Sequence, residues 1–357
     1  MKKLNFSHLR SFLAIASLFL ISCLASCNNT DDSASTTTTI ESVNTALNTP
    51  TDGSPVQIDV PTQTGLPNNT YFIKGTGFLT LQKVYFNGVE SYFNPTLVTD
   101  TVIVITIDQD TPYENVSSEL KVVTKNGTAT YHFVIAPPAP VLTRGFSPVN
   151  AADGSTMTIY GDFFLDPIVT FGTIPATVIS STLTEIKVKV PVGADKQLVS
   201  VKTISGTATS TYAVGTAIFD EVGFYGLDFP SWNNHTIVSD EKADQGLVYI
   251  KKKMDAWGNI QGNWGWYDKI ADYKGIRFSI KAESSGKLRL IFNGGWSDDV
   301  APELDVTTEW TTYEFTWEQL QNATRVQNIS FKNTSKSGND GIENTFYIDN
   351  IGFVLKK

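Results

Sequence analysis

A segment of this chain is repeated 79 to 86 residues further on, and this repeat limits the possible folds more than any other feature. The sequence YFIKGTGF at residues 71–78 matches MTIYGDFF at residues 157–164. The offset between equivalent glycines is 86 residues for Gly75 and Gly161, and 79 residues for Gly127 and Gly206. A unit of this length is a whole domain, because the turns of a solenoid repeat every ~20–50 residues.

Each copy has the pattern of a series of short β-strands. Runs rich in Val, Ile, Thr, Tyr and Phe alternate in polarity and are broken by Pro or Gly, which indicates an antiparallel sandwich. The pairs Asn126-Gly127 and Ser205-Gly206 are predicted to close hairpins between the last two strands of each copy. The sequence APPAP at residues 136–140 predicts a stiff joint, because proline fixes φ and removes a backbone donor. We therefore predict two β-sandwich domains, at residues 40–136 and 140–215.

The shared glycine and phenylalanine pattern resembles the IPT/TIG immunoglobulin-like domain. The second copy departs from the first where Asp162-Phe163 replaces Thr76-Gly77. Neither copy contains Trp, and the resemblance implies spacer domains that hold a terminal module away from a surface. Binding of protein partners by these domains is the alternative.

All seven tryptophans lie between Trp232 and Trp317, in the last part of the chain. Indole rings stack on flat apolar faces of ligands that also carry hydroxyl groups, so a sugar-binding surface is the first hypothesis. Five tryptophans lie among Gly and Asn residues or in a loop, and these are the stacking candidates: Trp232, Trp257, Trp264, Trp266 and Trp296. The predicted hydrogen-bonding partners of the sugar hydroxyls are Asn259, Gln261, Asn263, Asn293 and Asp298. For each tryptophan, packing in the core or in a loop is the alternative.

Residues 218–357 are predicted to form a third β-domain. Alternating strands are expected at residues 246–253, 275–282, 287–292 and 309–317. In the last of these, Tyr313, Phe315 and Trp317 share one face and are assigned to the core, and Trp310 is expected to be structural. The basic run 251–253 is interpreted as a solvated strand edge.

The closing motif YIDNI at residues 347–351 follows a strand that contains Trp310 and Tyr313, and this order resembles β-jelly-roll carbohydrate-binding modules. The fold class is therefore all-β, with two tandem immunoglobulin-like (IPT/TIG) β-sandwiches followed by a β-jelly-roll sandwich. Modules of this kind often hold a structural calcium ion, for which Asp220, Glu221 and Asp349 are the candidate ligands. Each of these acids alone is otherwise an ordinary turn residue, and no other cofactor is expected.

The N-terminus has the features of a secretory signal. Lys2, Lys3 and Arg10 precede an apolar run, and the sequence LASC at residues 24–27 resembles a bacterial lipobox. The resemblance implies a signal peptide at residues 1–26, acylation of Cys27, and a flexible tether at residues 27–39. Cys23 ends a second possible lipobox, and ordinary secretory cleavage is the alternative. The acids Asp31 and Asp32 resemble an export signal to the outer face of the outer membrane.

The charge of the chain excludes several classes of partner. The formal net charge is −9, and removal of the three cations in residues 1–26 leaves −12. Nucleic acid is therefore not an expected partner, and a neutral glycan is favoured over a polyanionic one. Only three His residues are present, one of them in the signal peptide, so no transition-metal site is expected.

Taken together, the lipobox, the two repeats and the Trp-rich C-terminal domain resemble surface glycan-binding lipoproteins of Bacteroidetes polysaccharide-utilisation systems. The resemblance implies a protein anchored by lipid in the outer membrane and facing the cell exterior. Its expected role is to bind a neutral polysaccharide, such as a β-glucan, xyloglucan or β-mannan, and to present it to a SusC/SusD-like importer complex without catalysing a reaction. A structural or adhesive surface protein and a glycoside hydrolase are the alternatives, the latter because of the acids at positions 298, 299, 303 and 305.

Overall fold

The computed structural model describes residues 37–46 and 58–356, and the elements in these ranges confirm the all-β prediction. The predicted signal peptide, Cys27 and most of the tether lie outside the described residues. The helices found in the described ranges are two short 3-10 turns, Phe78–Thr80 and Ser231–Asn233. No helix in the described ranges has the length and apolar character that crossing a lipid bilayer requires.

The chain divides into two compact units, and the smaller one comprises the described residues up to 63 together with 70–106 and 119–132. The strands of this part of the chain are β1 Thr39–Thr45, β2 Val60–Thr62, β3 Thr64–Gly65, β4 Thr70–Thr76, β5 Leu81–Phe86, β6 Val89–Ser91, β7 Phe93–Val98, β8 Val102–Thr106, β9 Glu119–Thr124, β10 Gly127–His132 and β11 Val134–Ile135. The smaller unit contains two antiparallel sheets with strand orders β2-β1-β4-β8-β7 and β10-β9-β5-β6. Strands β3 and β11 pair in parallel and belong to the larger unit.

The repeated glycine has the same physical reason in both copies. A Cβ on Gly75 would lie 1.9 Å from the carbonyl oxygen of Thr39, and a Cβ on Gly161 would lie 2.0 Å from that of Val141. The amide of Gly75 donates to Thr101 O at 3.0 Å, and that of Gly161 makes the equivalent bond to Thr184 O, also at 3.0 Å. Each glycine therefore permits a close approach of backbone that a side chain would prevent.

The departure between the copies preserves the backbone conformation. Gly77 has φ +76°, and Phe163, which replaces it, has φ +65° in the same left-handed region. The phenylalanines that follow, Phe78 and Phe164, are fully buried, and each lies against its repeated glycine. The second copy thus keeps the turn although it carries a residue that rarely adopts this conformation.

The second sandwich lies in the larger unit, which comprises residues 64–69, 107–118 and 133 onward. Its eight strands, whose bounds are given at the end of this paragraph, form two sheets with the orders β12-β13-β17-β16 and β15-β14-β18-β19. The core of this sandwich includes the buried residues Phe146, Phe164 and Phe171. The Asn126-Gly127 and Ser205-Gly206 hairpins are both present, joining β9 to β10 and β18 to β19. The strands are β12 Phe146–Ser147, β13 Thr156–Tyr160, β14 Ile168–Phe171, β15 Ile174–Pro175, β16 Thr177–Ser181, β17 Glu185–Lys189, β18 Leu198–Thr203 and β19 Gly206–Ala213.

The C-terminal domain is a sandwich of a seven-stranded and a four-stranded sheet. The strands are β20 Ala217–Asp220, β21 Val222–Gly223, β22 Thr236–Ser239, β23 Val248–Met254, β24 Asn259–Gln261, β25 Tyr273–Ala282, β26 Gly286–Phe292, β27 Glu303–Val306, β28 Thr311–Thr316, β29 Ile329–Asn333, β30 Lys336–Ser337, β31 Asp340–Gly341 and β32 Asn344–Leu355. In the larger sheet, the long strand β32 pairs with β25 on one side and with β23 and β20 on the other, and β25 also pairs with β28. The smaller sheet has the order β24-β29-β26-β27.

The core between these two sheets confirms the assignment of faces on β28. Tyr313, Phe315 and Trp317 pack against a buried cluster that includes Phe278, Phe331 and Phe353. The aromatic rings of Phe278 and Phe315 are stacked with centroids 5.9 Å apart. Alternation in the sequence therefore identified the buried face of this strand correctly.

The interpretation of residues 251–253 as a strand edge is wrong for Lys251. Strand β23, which contains all three lysines, pairs with β32 along residues 250–254 but with β22 only along residues 248–251, so Lys252 and Lys253 lie beyond the β22 pairing. Lys251 lies 5.6 Å from the ring centroid of Tyr347, and Lys253 is 3.0 Å from the Glu343 carboxylate. The lysines therefore cover aromatic and acidic side chains on a paired strand, which their charge alone did not indicate.

The second sandwich and the C-terminal domain share a polar junction inside the larger unit. The side chain of Asn150 donates to Ala217 O at 3.0 Å and accepts from Ala217 N at 2.9 Å. The side-chain amide of Gln245 donates to Phe146 O at 2.6 Å. The buried Arg277 of β25 lies 4.5 Å from the ring centroid of Tyr212, so a guanidinium group is enclosed between the two domains.

Candidate functional site

Five of the seven tryptophans are exposed, and they are the five that the sequence marked as stacking candidates. Because indole is large and apolar, an exposed set of this size is unusual on a protein without a partner. The exposed fractions are 66% for Trp232, 63% for Trp264, 60% for Trp266, 44% for Trp257 and 40% for Trp296.

The other two tryptophans have structural contacts. The Trp317 indole N–H donates to Tyr273 O at 2.6 Å, and its ring lies 6.3 Å from that of Phe292. The Trp310 indole N–H donates to Lys242 O at 2.8 Å, and its ring meets Tyr249 edge-on. Both are half-buried, so their predicted structural roles agree with their positions.

Trp264 reaches the loop that carries Trp296 at one end of the four-stranded sheet, where β24 and β26 end and β29 begins. An ideal Cβ at Gly294 would lie 2.9 Å from Cη2 of Trp264, so the tip of this indole reaches the loop that carries Trp296 two residues later. At the same end, Gly265 N donates to Gln327 O at 2.8 Å, which connects the loop that carries Trp264 to the segment before β29. We name this region, residues 261–266, 293–296 and 325–328, the tryptophan end.

Trp266 extends the tryptophan end and is partly covered. The guanidinium carbon of Arg325 lies 4.0 Å from the Trp266 ring centroid, so one indole face is already occupied by a cation. The ring of the neighbouring Tyr267 packs at a tilt against that of Tyr225, with centroids 4.1 Å apart, and Tyr225 is exposed and has φ +61°. Sequence reasoning missed Arg325 and Tyr225, because each is remote in sequence from the Gly-Trp clusters.

Trp232 is held to the same end through the residue that follows it. It lies in the 3-10 turn Ser231–Asn233, and the Asn233 side chain donates to Gln261 O and accepts from Gln261 N, both at 2.8 Å. Asn233 is buried, whereas the Trp232 ring points away from the core and is exposed. A side-chain clamp on β24 thus positions an otherwise unsupported loop tryptophan.

Trp257 lies at the opposite end of β24. Gly258 N donates to Asp255 O at 2.9 Å, which closes a turn with Trp257 at its third position and φ +65°. An ideal Cβ at Gly341 would lie 2.6 Å from the indole nitrogen, and the Lys336 ammonium lies 5.2 Å from the ring centroid. The structure therefore brings four of the five candidates to one end and leaves Trp257 apart.

The predicted hydrogen-bonding side chains fall into two groups. Asn259 and Gln261 alternate with the buried Ile260, so they lie on the outer face of the four-stranded sheet, and Gln261 Nε2 donates to Asn259 Oδ1 at 3.0 Å. Asn263 is exposed beside Trp264. These three amides therefore retain donors and acceptors that a ligand could use.

Asn293 and Asp298 are engaged within the protein. The Asn293 side chain donates to Arg325 O at 2.9 Å and accepts from Gln327 N at 2.7 Å, which fixes the loop at the tryptophan end. Asp298 forms an ion pair with Arg289 of β26. Contact of either side chain with a sugar stays a prediction, and Arg289 is a further residue that sequence reasoning missed.

Two carboxylates of β27 are paired with a lysine of β26. Lys287 lies 3.3 Å from Glu303 and 2.9 Å from Asp305. Burial raises the pKa of Glu303, but the nearby Thr334 hydroxyl and Lys287 ammonium outweigh that effect, and the net pKa is lowered. Glu303 is therefore ionised at neutral pH and does not serve as a proton donor.

The three candidate calcium ligands make contacts of other kinds. Asp349 is buried and accepts from the amides of Asp244 and Gln245 at 2.8 and 2.9 Å. Asp220 accepts from Val149 N at 2.5 Å, and burial raises its pKa to about 6. Glu221 accepts from the Ser147 hydroxyl at 3.3 Å. Within residues 37–46 and 58–356, no group of three His, Cys, Asp or Glu side chains is placed to hold a metal, and calcium binding stays a prediction.

Two domain families match this chain. Residues 140–216 match the IPT/TIG domain, which confirms that resemblance for the second copy of the repeat. Residues 222–356 match the expansin-like protein C-terminal domain. An IPT/TIG domain-containing protein from Bacteroides ovatus is 31% identical over 104 residues, which is 28% of this chain and 21% of that protein. The match thus spans about a fifth of the length of that relative.

Several solved structures are similar in fold to most of the chain. The surface glycan-binding protein PbSGBP-B from Prevotella bryantii is 16% identical, with 90% of this chain and 99% of that chain covered and a TM-score of 0.47. SGBP-B from a complex xyloglucan utilization locus in Bacteroides uniformis is 16% identical, with coverage of 90% and 100% and a TM-score of 0.35. SGBP-B from the Bacteroides ovatus mixed-linkage glucan utilization locus, in complex with a mixed-linkage heptasaccharide, is 14% identical, with coverage of 82% and 71% and a TM-score of 0.27. Surface glycan-binding proteins of Prevotella and Bacteroides are thus among the proteins to which the chain shows a likeness.

Proposed function

We propose that this protein captures a neutral polysaccharide at the cell surface through its exposed tryptophans and holds it for a neighbouring importer. The observation that carries the proposal is the gathering of Trp232, Trp264, Trp266 and Trp296 at one end of the four-stranded sheet, with the exposed side chain of Asn263 and the half-buried side chain of Gln261 beside them. A pyranose ring can place its C–H groups on an indole face, while its equatorial hydroxyls reach the amides. This combination of flat apolar surface and directional donors suits a sugar better than a purely apolar ligand.

The expected affinity is modest. Stacking buries some tens of Å² per ring, which at ~25 cal/mol per Å² is worth about 1–2 kcal/mol. Two or three such rings, after the cost of association, correspond to a Kd on the order of micromolar. A weak site releases its ligand readily, and a polymer that contacts many anchored copies gains avidity.

The charges of the site favour binding without catalysis. A glycosidase needs two opposed carboxyl groups, one of them with a raised pKa so that it donates a proton. Here Asp298, Glu303 and Asp305 are all within ion-pairing distance of Arg289 or Lys287. The Lys287 ammonium helps to lower the pKa of Glu303, so Glu303 does not supply the proton that hydrolysis requires.

The proposed location rests on the N-terminal sequence. The lipobox-like LASC followed by two acids supports acylation of Cys27 and display on the outer face of the outer membrane. The predicted tether and the immunoglobulin-like copies would then hold the tryptophan end away from the bilayer. A SusC/SusD-like importer is the proposed recipient of the glycan.

Affinity electrophoresis tests the capture role. The full-length chain, purified in a mild non-ionic detergent, is run through gels cast with xyloglucan, mixed-linkage β-glucan, β-mannan or an acidic polysaccharide. The test variant combines Trp264→Ala, Trp266→Ala and Trp296→Ala. The matched control is Tyr92→Ala, which removes an aromatic ring that is 82% exposed but lies between β6 and β7 of the first copy.

We expect one neutral β-glycan to retard the parent and the control, but not the triple variant. Circular dichroism of the three proteins verifies that the variant is folded. Equal retardation of the folded triple variant would refute the proposed site. If no glycan retards the parent, the structural or adhesive interpretation replaces the proposal.

A further inference from the structure

We infer that the second sandwich and the C-terminal domain form one cooperative folding unit, so that the C-terminal domain depends on its immunoglobulin-like neighbour for stability and is held in a fixed orientation against it. The inference does not rest on the proposed function, because it concerns how the domain is held and not what it binds. Its basis is a buried connection between the two cores, together with contacts that different segments make around that connection.

The connection between the two domains has no exposed linker. Ala217 is buried in the core of the second sandwich, and the next residues, Ile218 and Phe219, are buried in the core of the C-terminal domain. All three belong to β20, which pairs with β32 of the C-terminal sheet. Residues 212–220 are buried except Gly215, which is half-buried. Domain boundaries that permit movement lie in exposed segments with few contacts, so this connection does not act as a hinge.

Aromatic side chains extend the packing across the junction. Phe224 follows β21 of the C-terminal domain and packs against the core of the second sandwich. Tyr212, at the end of β19, is 8% exposed, and its ring lies on the guanidinium group of Arg277 from the C-terminal sheet. Unfolding of the second sandwich would remove the apolar surface on which Phe224 packs and the ring that lies on Arg277. The C-terminal domain would therefore lose stability when its neighbour unfolds.

The segment that begins the second sandwich is bonded to the C-terminal domain through its backbone. Arg144 O accepts from Gly246 N at 2.9 Å, and Phe146 O accepts from the side-chain amide of Gln245 at 2.6 Å. Gln245 is 1% exposed, so its amide is enclosed at the junction. A buried polar group that loses its partner costs stability, and separation of the domains would break both bonds.

A further contact involves a different loop of the second sandwich. Lys196, between β17 and β18, lies 2.5 Å from the Asp272 carboxylate and 6.0 Å from the ring centroid of Tyr273. An exposed ion pair of this kind contributes little to stability, but it adds a contact that is remote in sequence from the others. Rotation of the C-terminal domain about β20 would have to break the contacts of Gln245 and Lys196 together.

These contacts favour joint unfolding of the two domains. Relative motion is the ordinary expectation for neighbouring domains unless their interface is large and hydrophobic. Here both cores share one buried strand, β20, and polar groups around it are bonded across the junction. The C-terminal domain is thus one half of a two-domain unit and not an independently movable module.

Tryptophan fluorescence tests this coupling without a ligand. All seven tryptophans lie between Trp232 and Trp317, and the second sandwich contains none, so the fluorescence of the full-length chain reports unfolding of the C-terminal domain. The test variants are Ile186→Ala and Ile186→Val in β17, whose strand neighbours β13 and β16 both belong to the second sandwich. Ile186 is 0% exposed and lies in the core of that sandwich. The matched control is Ile179→Ala, which makes the same change in β16 at a position that is 57% exposed.

We expect Ile186→Ala to lower the urea midpoint of the fluorescence transition by roughly 1–2 M, because the two domains unfold together. Ile186→Val should lower the midpoint by about a third as much, since it removes a single methyl group from the core. Ile179→Ala should keep the parental midpoint.

A fluorescence midpoint of Ile186→Ala equal to that of the parent would overturn the inference, because the C-terminal domain would then be stable beside a destabilised sandwich. If the alanine substitution prevents folding, the valine variant gives the same test: a parental midpoint overturns the inference, and a lowered midpoint supports it. A shift in Ile179→Ala as large as that in Ile186→Ala would also overturn the inference, because the shift would then not arise from the core of the second sandwich.

Discussion

Replacement of Arg277 by methionine is expected to destabilise the C-terminal domain by about 3 kcal/mol. Arg277 is 3% exposed, and burial lowers its pKa to about 10, so it remains charged at neutral pH. Its Nε donates to Asn350 Oδ1 at 3.0 Å, and its Nη1 donates to Thr216 Oγ1 at 3.2 Å and to Phe353 O. Methionine fills much of the same space but leaves three buried acceptors without a donor, each at a cost of about 1 kcal/mol or more.

Intrinsic fluorescence during urea unfolding measures this effect directly. All seven tryptophans lie between Trp232 and Trp317, so the signal reports the C-terminal domain. The free energy of unfolding in water follows from linear extrapolation, with about 10–15% uncertainty, which is small beside the expected change.

The matched control is Lys281→Met, which removes a cation from the same strand and the same face. Lys281 is half-buried, lies 4.7 Å from the Trp310 ring centroid, and has a long hydrogen bond of 3.5 Å to Lys242 O. Its loss is expected to cost less than about 1 kcal/mol. If Arg277→Met changed the free energy of unfolding by no more than Lys281→Met, the argument that the enclosed guanidinium stabilises the junction would be refuted.

Three further predictions concern other parts of the molecule. Gly294→Ala should lower the free energy of unfolding by about 1–2 kcal/mol and weaken retention in glycan gels, because the position has φ +76° and its Cβ would press on Trp264. Normal retention of this variant would contradict the contact between residue 294 and Trp264. Gly75→Ala should lower the free energy of unfolding, measured in urea, by about 2–3 kcal/mol, because its Cβ would lie 1.9 Å from Thr39 O. A variant as stable as the parent would disprove that close approach. Burial lowers the pKa of His235, so its contribution to stability is present above pH 6.5 and is lost as the pH falls below that value. His235→Gln should therefore flatten the decline in the free energy of unfolding between pH 7 and 5. An unchanged pH profile of that free energy would exclude this role.

Much of the fold could be predicted because the relevant signals are local. Alternation of apolar residues identified the core face of β28, and the Asn126-Gly127 and Ser205-Gly206 pairs marked hairpins that the structure contains. These signals depend on side-chain period and turn chemistry, which act within a few residues. The interpretation of Lys251 to Lys253 as an edge failed at Lys251, because strand order and register are set by pairing across the whole domain.

The candidate site was predictable in its residue types but not in its arrangement. The Gly and Asn neighbours of five tryptophans indicated exposed rings, and these five are exposed. The cation over Trp266 and the ion pair of Asp298 were not predictable, because Arg325 and Arg289 are brought to these side chains by neighbouring strands and loops. No pattern in the sequence reports which side chains such strands place together.

The sequence by itself determined the all-β class, the repeated domain and the identity of the tryptophans that lie outside the core. Tertiary structure alone decided that four of these tryptophans converge at one end of a sheet while Trp257 stands at the other. It also decided that Arg277 is enclosed between two domains. The physical reason is that composition and alternation fix what a residue can do in its own strand, whereas register and strand order fix which distant residues it meets.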